Sequence, residues 1–204
     1  LRKILIQAEG VHIPPETYVL SSLIKIYRQN AGMRWYNLVN LILSTIEYHQ
    51  EFYTFNLNNL TELADRIKNL PQEKRSLISI VDEFYRFHAK KNEINCDLWG
   101  DKTPLNTLNI KRIDSLFGMS KYIFLVRDPI DVIYSYTKNK LYCDVESAAN
   151  RWVQANEKAF NFYKKTQGRV LKVHYEELVS YPDKESEKIY NFLNLEFDNK
   201  YLDL

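Results

Sequence analysis

Glycine is scarce in this chain. Five residues in 204 fall well under the usual share of about 7%. A nucleotide-handling α/β protein ordinarily spends several glycines on a phosphate loop, and none of the five here forms such a cluster. Cysteine is scarcer still. Cys96 and Cys143 stand far apart without C-x-x-C spacing, which argues against a disulfide framework and a cysteine-built zinc site. The expected setting is therefore reducing and cytoplasmic. Long apolar runs are also missing: the nearest candidate, residues 38–46, is interrupted by Asn40 and Ser44 and falls short of the roughly 20 residues that cross a bilayer. Excess charge is missing too. With 28 Lys and Arg against 26 Asp and Glu, the net charge is +2, which argues against a general nucleic-acid binder because phosphate backbones demand clustered cations. A single local anion pocket stays open. Finally, no methionine starts the chain. It opens inside LRKILIQAE, already at helical spacing through Leu1, Ile4, Leu5 and Ala8, so the natural N-terminus is expected upstream.

What is present reads as an ordinary globular chain, 45% apolar and 26% charged, long enough to bury a core of its own. Three segments have buried-strand composition: INCDLW (94–99), YIFLV (122–126) and RVLKVH (169–174). Helical patterns separate them at 106–117, 129–139 and 145–166, and another lies at 184–193. Alternating strands and helices predict an α/β fold with a parallel sheet flanked by helices. Residues 16–91 are helical nearly throughout, with Leu23, Ile26, Leu38, Ile42 and Ile46 at helix spacing and a turn near Leu70-Pro71. They predict a helical insertion or lid (16–91) on a sheet core (92–204), the whole (1–204) being one domain.

The stretch KYIFLVRDPIDVIYSYTKNK (121–140) carries the first chemical signal. In a parallel sheet, ligands bind beyond the carboxyl ends of the strands, where helix N-termini also point. Arg127 follows the strand directly, Asp128 is placed to cap the next helix, and Pro129 suits its first turn. Ser135 lies seven residues after Asp128, on the same helix face. Arg127 and Ser135 can thus grip one anion from two sides. Alternatively, Arg127 pairs with Asp128 or Asp131 and Ser135 faces solvent; spacing does not separate the two. The other strand exits add weight. GDKTP puts Lys102 and Thr103 past the first strand, and YEEL puts Tyr175 past the third.

VRDPIDVIYS resembles the 3′-phosphate-binding segment of the sulfotransferases that use 3′-phosphoadenosine 5′-phosphosulfate (PAPS). GDKTP, VHYEELVSYP and IYNFLNL resemble the same family in the same order, and LRKIL with GVHIPPETYVL resembles the segment directly behind that family's phosphosulfate loop. The motifs are nearest to bacterial and tyrosylprotein-type members. The resemblance implies a three-layer P-loop-type parallel sheet and a sulfuryl transfer from PAPS to an acceptor hydroxyl, leaving 3′-phosphoadenosine 5′-phosphate. Residue by residue, it implies that Arg127 and Ser135 bind the 3′-phosphate and Tyr175 contacts the nucleotide. Lys102 would steady the oxygen that leaves the sulfate, and Glu16 would be the general base. No metal is implied. The acceptor would be a small molecule, carbohydrate, lipid or peptide hydroxyl, with no nucleic acid or membrane segment involved.

Each residue also has a plainer reading. Glu16 suits the first turn of a helix, Lys102 a surface pair with Asp101, and Tyr175 a core aromatic. Trp152 reads as helix packing, and the four histidines share no pattern and read as structural. One departure stands out: the family's lysine-threonine-proline segment is often followed by a histidine where this chain has Asn106. Two other functions remain in view, a P-loop kinase of small molecules or nucleotides and a non-catalytic binding module of the same fold.

Overall fold

The computed structural model describes residues 1–166 and 168–203. The chain divides into two compact units. The first takes Leu1–Asn106 with Ser115–Phe117; the second takes Thr107–Asp114 and the chain from Gly118 onward.

In the first unit, a short helix α1 (Arg2–Leu5) leads to a two-residue strand β1 (Val11–His12). Four helices come next: α2 (Leu20–Gln29), α3 (Trp35–Glu47), α4 (Thr61–Lys68) and α5 (Leu77–Lys91). Their apolar residues recur at three- and four-residue steps, so each helix turns one stripe inward. Leu38, Ile42 and Ile46 of α3, Leu63 and Ile67 of α4, and Ile80 and Phe84 of α5 are all buried. Consecutive helices pack on one another, and α2 also meets α5. Phe55, fully buried, sits edge-on to Phe52, Phe84 and His88 at centroid distances of 5.5–5.9 Å. Ser76 starts α5 by accepting a hydrogen bond from the Ser79 amide at 3.1 Å, an N-cap of the expected kind.

The strand expected over 94–99 is shorter than its composition suggests. Only β2 (Leu98–Trp99) pairs, in parallel, with Val11 opposite Leu98 and His12 opposite Trp99. Its partner offers two residues and no more, so the ladder stops there. Gly10 begins it. Its carbonyl accepts from the amides of Asp97 and Leu98, and its φ of +75° is a backbone conformation that favours glycine.

The second unit begins with α6 (Ile110–Asp114). A continuous helix over 106–117 is not what forms: Pro104–Asn109 is a 3-10 turn and α6 adds five residues. The Asn106 side chain is engaged with Asp101, and a polar side chain bonded locally competes with helix formation. Next come β3 (Tyr122–Val126), α7 (Pro129–Lys138), α8 (Val145–Lys165), β4 (Val170–His174), α9 (Tyr175–Ser180) and α10 (Pro182–Leu193). β3 and β4 pair in parallel along their whole length, from Tyr122 opposite Val170 to Val126 opposite His174. Asp114 anchors the start of this pair, accepting from both Arg169 Nη atoms at 2.7 and 3.3 Å and from the Tyr122 hydroxyl at 3.1 Å. α8 packs against α7 and α6, with Phe162 edge-on to Tyr122 at 5.1 Å. The class is α/β with parallel strands, as the alternation of segments predicts. Among the described residues, no helix is long and apolar enough to cross a membrane.

Candidate active site

Each unit gathers polar side chains where its pair of parallel strands ends in register. In the first unit, His12 and Trp99 are opposite one another, so the segments behind them leave side by side. Glu16 lies on the segment after β1 and Lys102 on the segment after β2, and their side chains meet: Lys102 Nζ donates to Glu16 Oε1. The Tyr18 hydroxyl donates to Glu16 Oε2. That bond, with partial burial, pushes the Tyr18 phenol up to about 12. Tyr18 takes a left-handed backbone conformation, φ +56°, uncommon for a residue of its size, and its ring lies parallel to His49.

Both plainer readings from the sequence give way here. Glu16 is in no helix, because α2 starts only at Leu20. Lys102 pairs across 86 positions with Glu16 rather than with its neighbour Asp101. Asp101 has other partners: the Thr17 hydroxyl at 2.6 Å, the Tyr85 hydroxyl at 2.5 Å, and Asn106 Nδ2. Thr103 completes the join, its Oγ1 accepting from the Thr17 amide at 3.1 Å and the Tyr18 amide at 3.4 Å. Beneath them the Tyr85 ring stacks on Trp99, 4.1 Å apart and 1° from parallel. Burial and the Asp101 charge raise the Tyr85 phenol well above its ordinary range, so it stays a donor. Nearby, His12 Nε2 and His88 Nδ1 share a buried hydrogen bond of 2.9 Å, a pairing the sequence did not show.

In the second unit, Val126 and His174 are opposite one another, so Arg127 and Tyr175 emerge together. The Arg127 guanidinium lies over the Tyr175 ring, 4.6 Å from its centre, within cation–π range. Tyr175 is 36% exposed and so is not a core aromatic. Arg127 Nη2 pairs with Asp131 Oδ2 at 3.1 Å, the ion pair weighed from the sequence. Its Nε is nevertheless buried without a hydrogen-bond partner. Asp128 caps α7, accepting from the amides of Ile130 (2.8 Å) and Asp131 (3.4 Å). Glu176 accepts from the Asp128 amide at 2.8 Å, and backbone amide donors, with Arg127 adding attraction, hold its carboxyl below the usual range. Ser135 sits two turns into α7, its Oγ accepting from Asn139 Nδ2 at 3.4 Å, which leaves its own proton for an acceptor. Trp152, read from sequence as packing, does more: its indole N–H donates to the Arg127 carbonyl at 3.2 Å.

Of the residues singled out in the sequence, Glu16 and Lys102 are thus brought together in one unit, and Arg127 and Tyr175 in the other. Ser135 stands on the helix that Asp128 starts. Thr17, Tyr18, Tyr85, Asp101 and Trp152 were not foreseen as site residues. Most of their partners lie 16 to 86 positions away.

Comparison with known proteins identifies the family. The model of the sulfotransferase family matches residues 1–199. Two curated nematode proteins, described as candidate protein-tyrosine sulfotransferases, are similar over 108 residues, half of this chain. The Caenorhabditis briggsae protein is 31% identical and the Caenorhabditis elegans protein 30%. The matched segments cover 39% and 42% of those relatives' own lengths. Among solved structures, the sulfotransferase domain of the Synechococcus PCC 7002 olefin synthase aligns over 99% of this chain and 70% of its own, with TM-score 0.66 and 24% identity. The sulfotransferase domain of the curacin biosynthetic pathway aligns over 96% and 77%, with TM-score 0.52 and 22% identity. At those identities the two structures speak for the fold alone, whereas the family model spans nearly every residue: this chain belongs to the sulfotransferase family.

Proposed function

We propose that the protein transfers a sulfuryl group from PAPS to an acceptor hydroxyl, with Glu16 as general base and Lys102 as the cation at the leaving oxygen. The observation that carries this reading is the meeting of Glu16 and Lys102 where β1 and β2 end in register. A base and a cation held in contact are the two groups this chemistry needs. PAPS, when bound, supplies an activated sulfuryl group on a phosphate. Glu16 takes the proton that the acceptor hydroxyl gives up as its oxygen bonds to sulfur. Lys102 places its charge where the electron pair of the broken sulfur–oxygen bond collects, on the phosphate oxygen, and so acts most strongly as that charge develops. An ammonium has three donors, so Lys102 can keep Glu16 and still donate to an anion.

The second unit's residues suit a phosphate. Arg127 retains an unpartnered buried donor at Nε, its fork is steadied over Tyr175, and the Ser135 hydroxyl has a proton to give. These residues hold the donor's 3′-phosphate, with Tyr175 against the nucleotide. For the acceptor, the description of the nematode relatives makes a tyrosine-containing peptide the first to try, ahead of carbohydrate and small-molecule hydroxyls.

Titration with 3′-phosphoadenosine 5′-phosphate, followed by melting temperature, tests the reading. Wild type is expected to gain stability with ligand concentration. Arg127→Ala is expected to bind about 10- to 150-fold more weakly, the effect of losing a charged hydrogen bond of about 1.5–3 kcal/mol. A folded protein that shifts with ATP and magnesium but not with this nucleotide would instead be a kinase, and the reading would fail.

A further inference from the structure

The Glu16–Lys102 contact joins two long-separated segments, and the polar atoms around it are shared in a particular way. The residues on either side of Lys102 both reach to the residues just after Glu16. Asp101 accepts from the Thr17 hydroxyl at 2.6 Å, and Thr103 accepts from the Thr17 and Tyr18 amides. Asp101 is in turn fixed by donors from two further places, the Tyr85 hydroxyl of α5 and Asn106 Nδ2. Thr17 is fully buried and Tyr85 is 1% exposed, so neither can swing away to water. Taking a carboxylate partly out of water is costly unless it is well supplied with donors, and this one has three from three separate parts of the chain.

We propose that Asp101 is the positioning residue of the Glu16–Lys102 pair: it stitches the base's segment to the lysine's segment and fixes the reach between them. This rests on the proposed function for its effect on turnover, but not for the stitch itself. Tyr85 sets the height of Asp101 through its stack on Trp99, the last residue of β2. Asp101 sets Thr17, and Thr17 sets Glu16. Asn106 thereby has a task of its own as a donor to Asp101 rather than as a group in the reaction.

The test uses the full-length protein with three substitutions, Asp101→Asn, Thr17→Val and Thr17→Ser, and two independent readouts. The first is amide hydrogen exchange at Thr17 and Tyr18, which needs no activity. The second is steady-state kinetics with PAPS and a tyrosine peptide. Asp101→Asn and Thr17→Val are expected to speed exchange at both amides by about tenfold or more, since loss of the stitch frees the segment to open locally. They are expected to lower kcat by about 10- to 100-fold, as for an ångström-scale misplacement of reacting groups, with KM for PAPS held within about twofold. Thr17→Ser, which restores the hydroxyl, is expected to recover most of the loss seen in Thr17→Val. If Asp101→Asn does not fold, the Thr17 pair decides alone. Exchange at wild-type rates in the folded variants overturns the stitch, as does Thr17→Ser no better than Thr17→Val. A wild-type protein that transfers no sulfate, yet shows the expected exchange, would sink the proposed function and leave the stitch standing.

Discussion

The two units share one device, a pair of parallel strands ending in register, and differ in how the polar groups behind it are partnered. In the first, the polar groups behind the strands satisfy one another: Glu16, Lys102, Tyr18, Asp101 and both threonines all have partners inside the unit. Among the described residues, Arg127 Nε, Arg151 Nη1 and Ser186 Oγ of the second are buried without partners, whereas in the first His88 Nε2 of α5 is so left. The packing differs in parallel. α3 and α5 bury long apolar stripes, whereas no side chain of β3 or α7 is fully buried. A group that takes a proton must be aimed in advance, and aiming is done by neighbours. A group that holds an anion must keep donors unspent, and unspent buried donors are rare enough in native proteins to call for an explanation.

The sharpest way to break this comparison is kinetic. Glu16→Gln is expected to lower kcat by about 10²–10⁴-fold, the usual contribution of a general base, with nucleotide binding retained in a melting-temperature titration. Equal loss of nucleotide binding would show that the first unit's pair does not act separately from the second unit's anion grip. Next in size is packing. Phe55→Ala is expected to destabilise by about 3–5 kcal/mol, as for a fully buried phenylalanine, while Phe124→Ala on the half-buried β3 is expected to cost under about 2 kcal/mol. Urea unfolding of both variants checks the order, and similar losses would erase the contrast in packing.

The smallest effect is acid sensitivity. Burial lowers both His12 and His88 from 6.5 to about 4, with repulsion from Arg2 adding at His12 and repulsion from His12 and then Arg2 adding at His88. Between pH 6.5 and 4 the unfolded chain therefore binds more protons, so stability falls as the pH falls through that window. One imidazole alone contributes at most about 1.4 kcal/mol per pH unit, and two that share a hydrogen bond contribute less than twice that. Melting curves at about pH 7, 5.5 and 4.5 should show a shallower acid loss in His88→Leu than in wild type; identical slopes would remove the histidine pair from the account.

The second unit was the more legible in sequence. β3 occupies YIFLV without a residue's difference, and α7 begins at Pro129 as the Asp-Pro pair predicts, because an apolar run followed by a cap is a local signal. Arg127 and Tyr175 could be found as the residues directly behind such strands. The first unit hid more. A two-residue strand such as Val11–His12 has no alternation to detect, and the segment 94–99 looked longer than its partner allowed. Lys102 could be found just past a strand, but its role, and Glu16 altogether, came through family resemblance, since nothing local distinguishes a base from a helix-start glutamate. Thr17 and Tyr85 gave no signal, and Asp101 was read only as a neighbour for Lys102, because their hydrogen bonds to one another join distant segments.

Trp152 gives the protein a built-in optical probe. Its indole is tied to the carbonyl of Arg127, so a ligand that pulls on Arg127 alters the surroundings of a fluorophore one hydrogen bond away. Trp99, stacked on Tyr85, sits at the base of the Asp101 network and receives energy from a neighbouring phenol. Each unit thus carries a tryptophan beside its candidate site residues, and single-tryptophan variants can follow the proposed anion grip and the proposed base–cation pair separately.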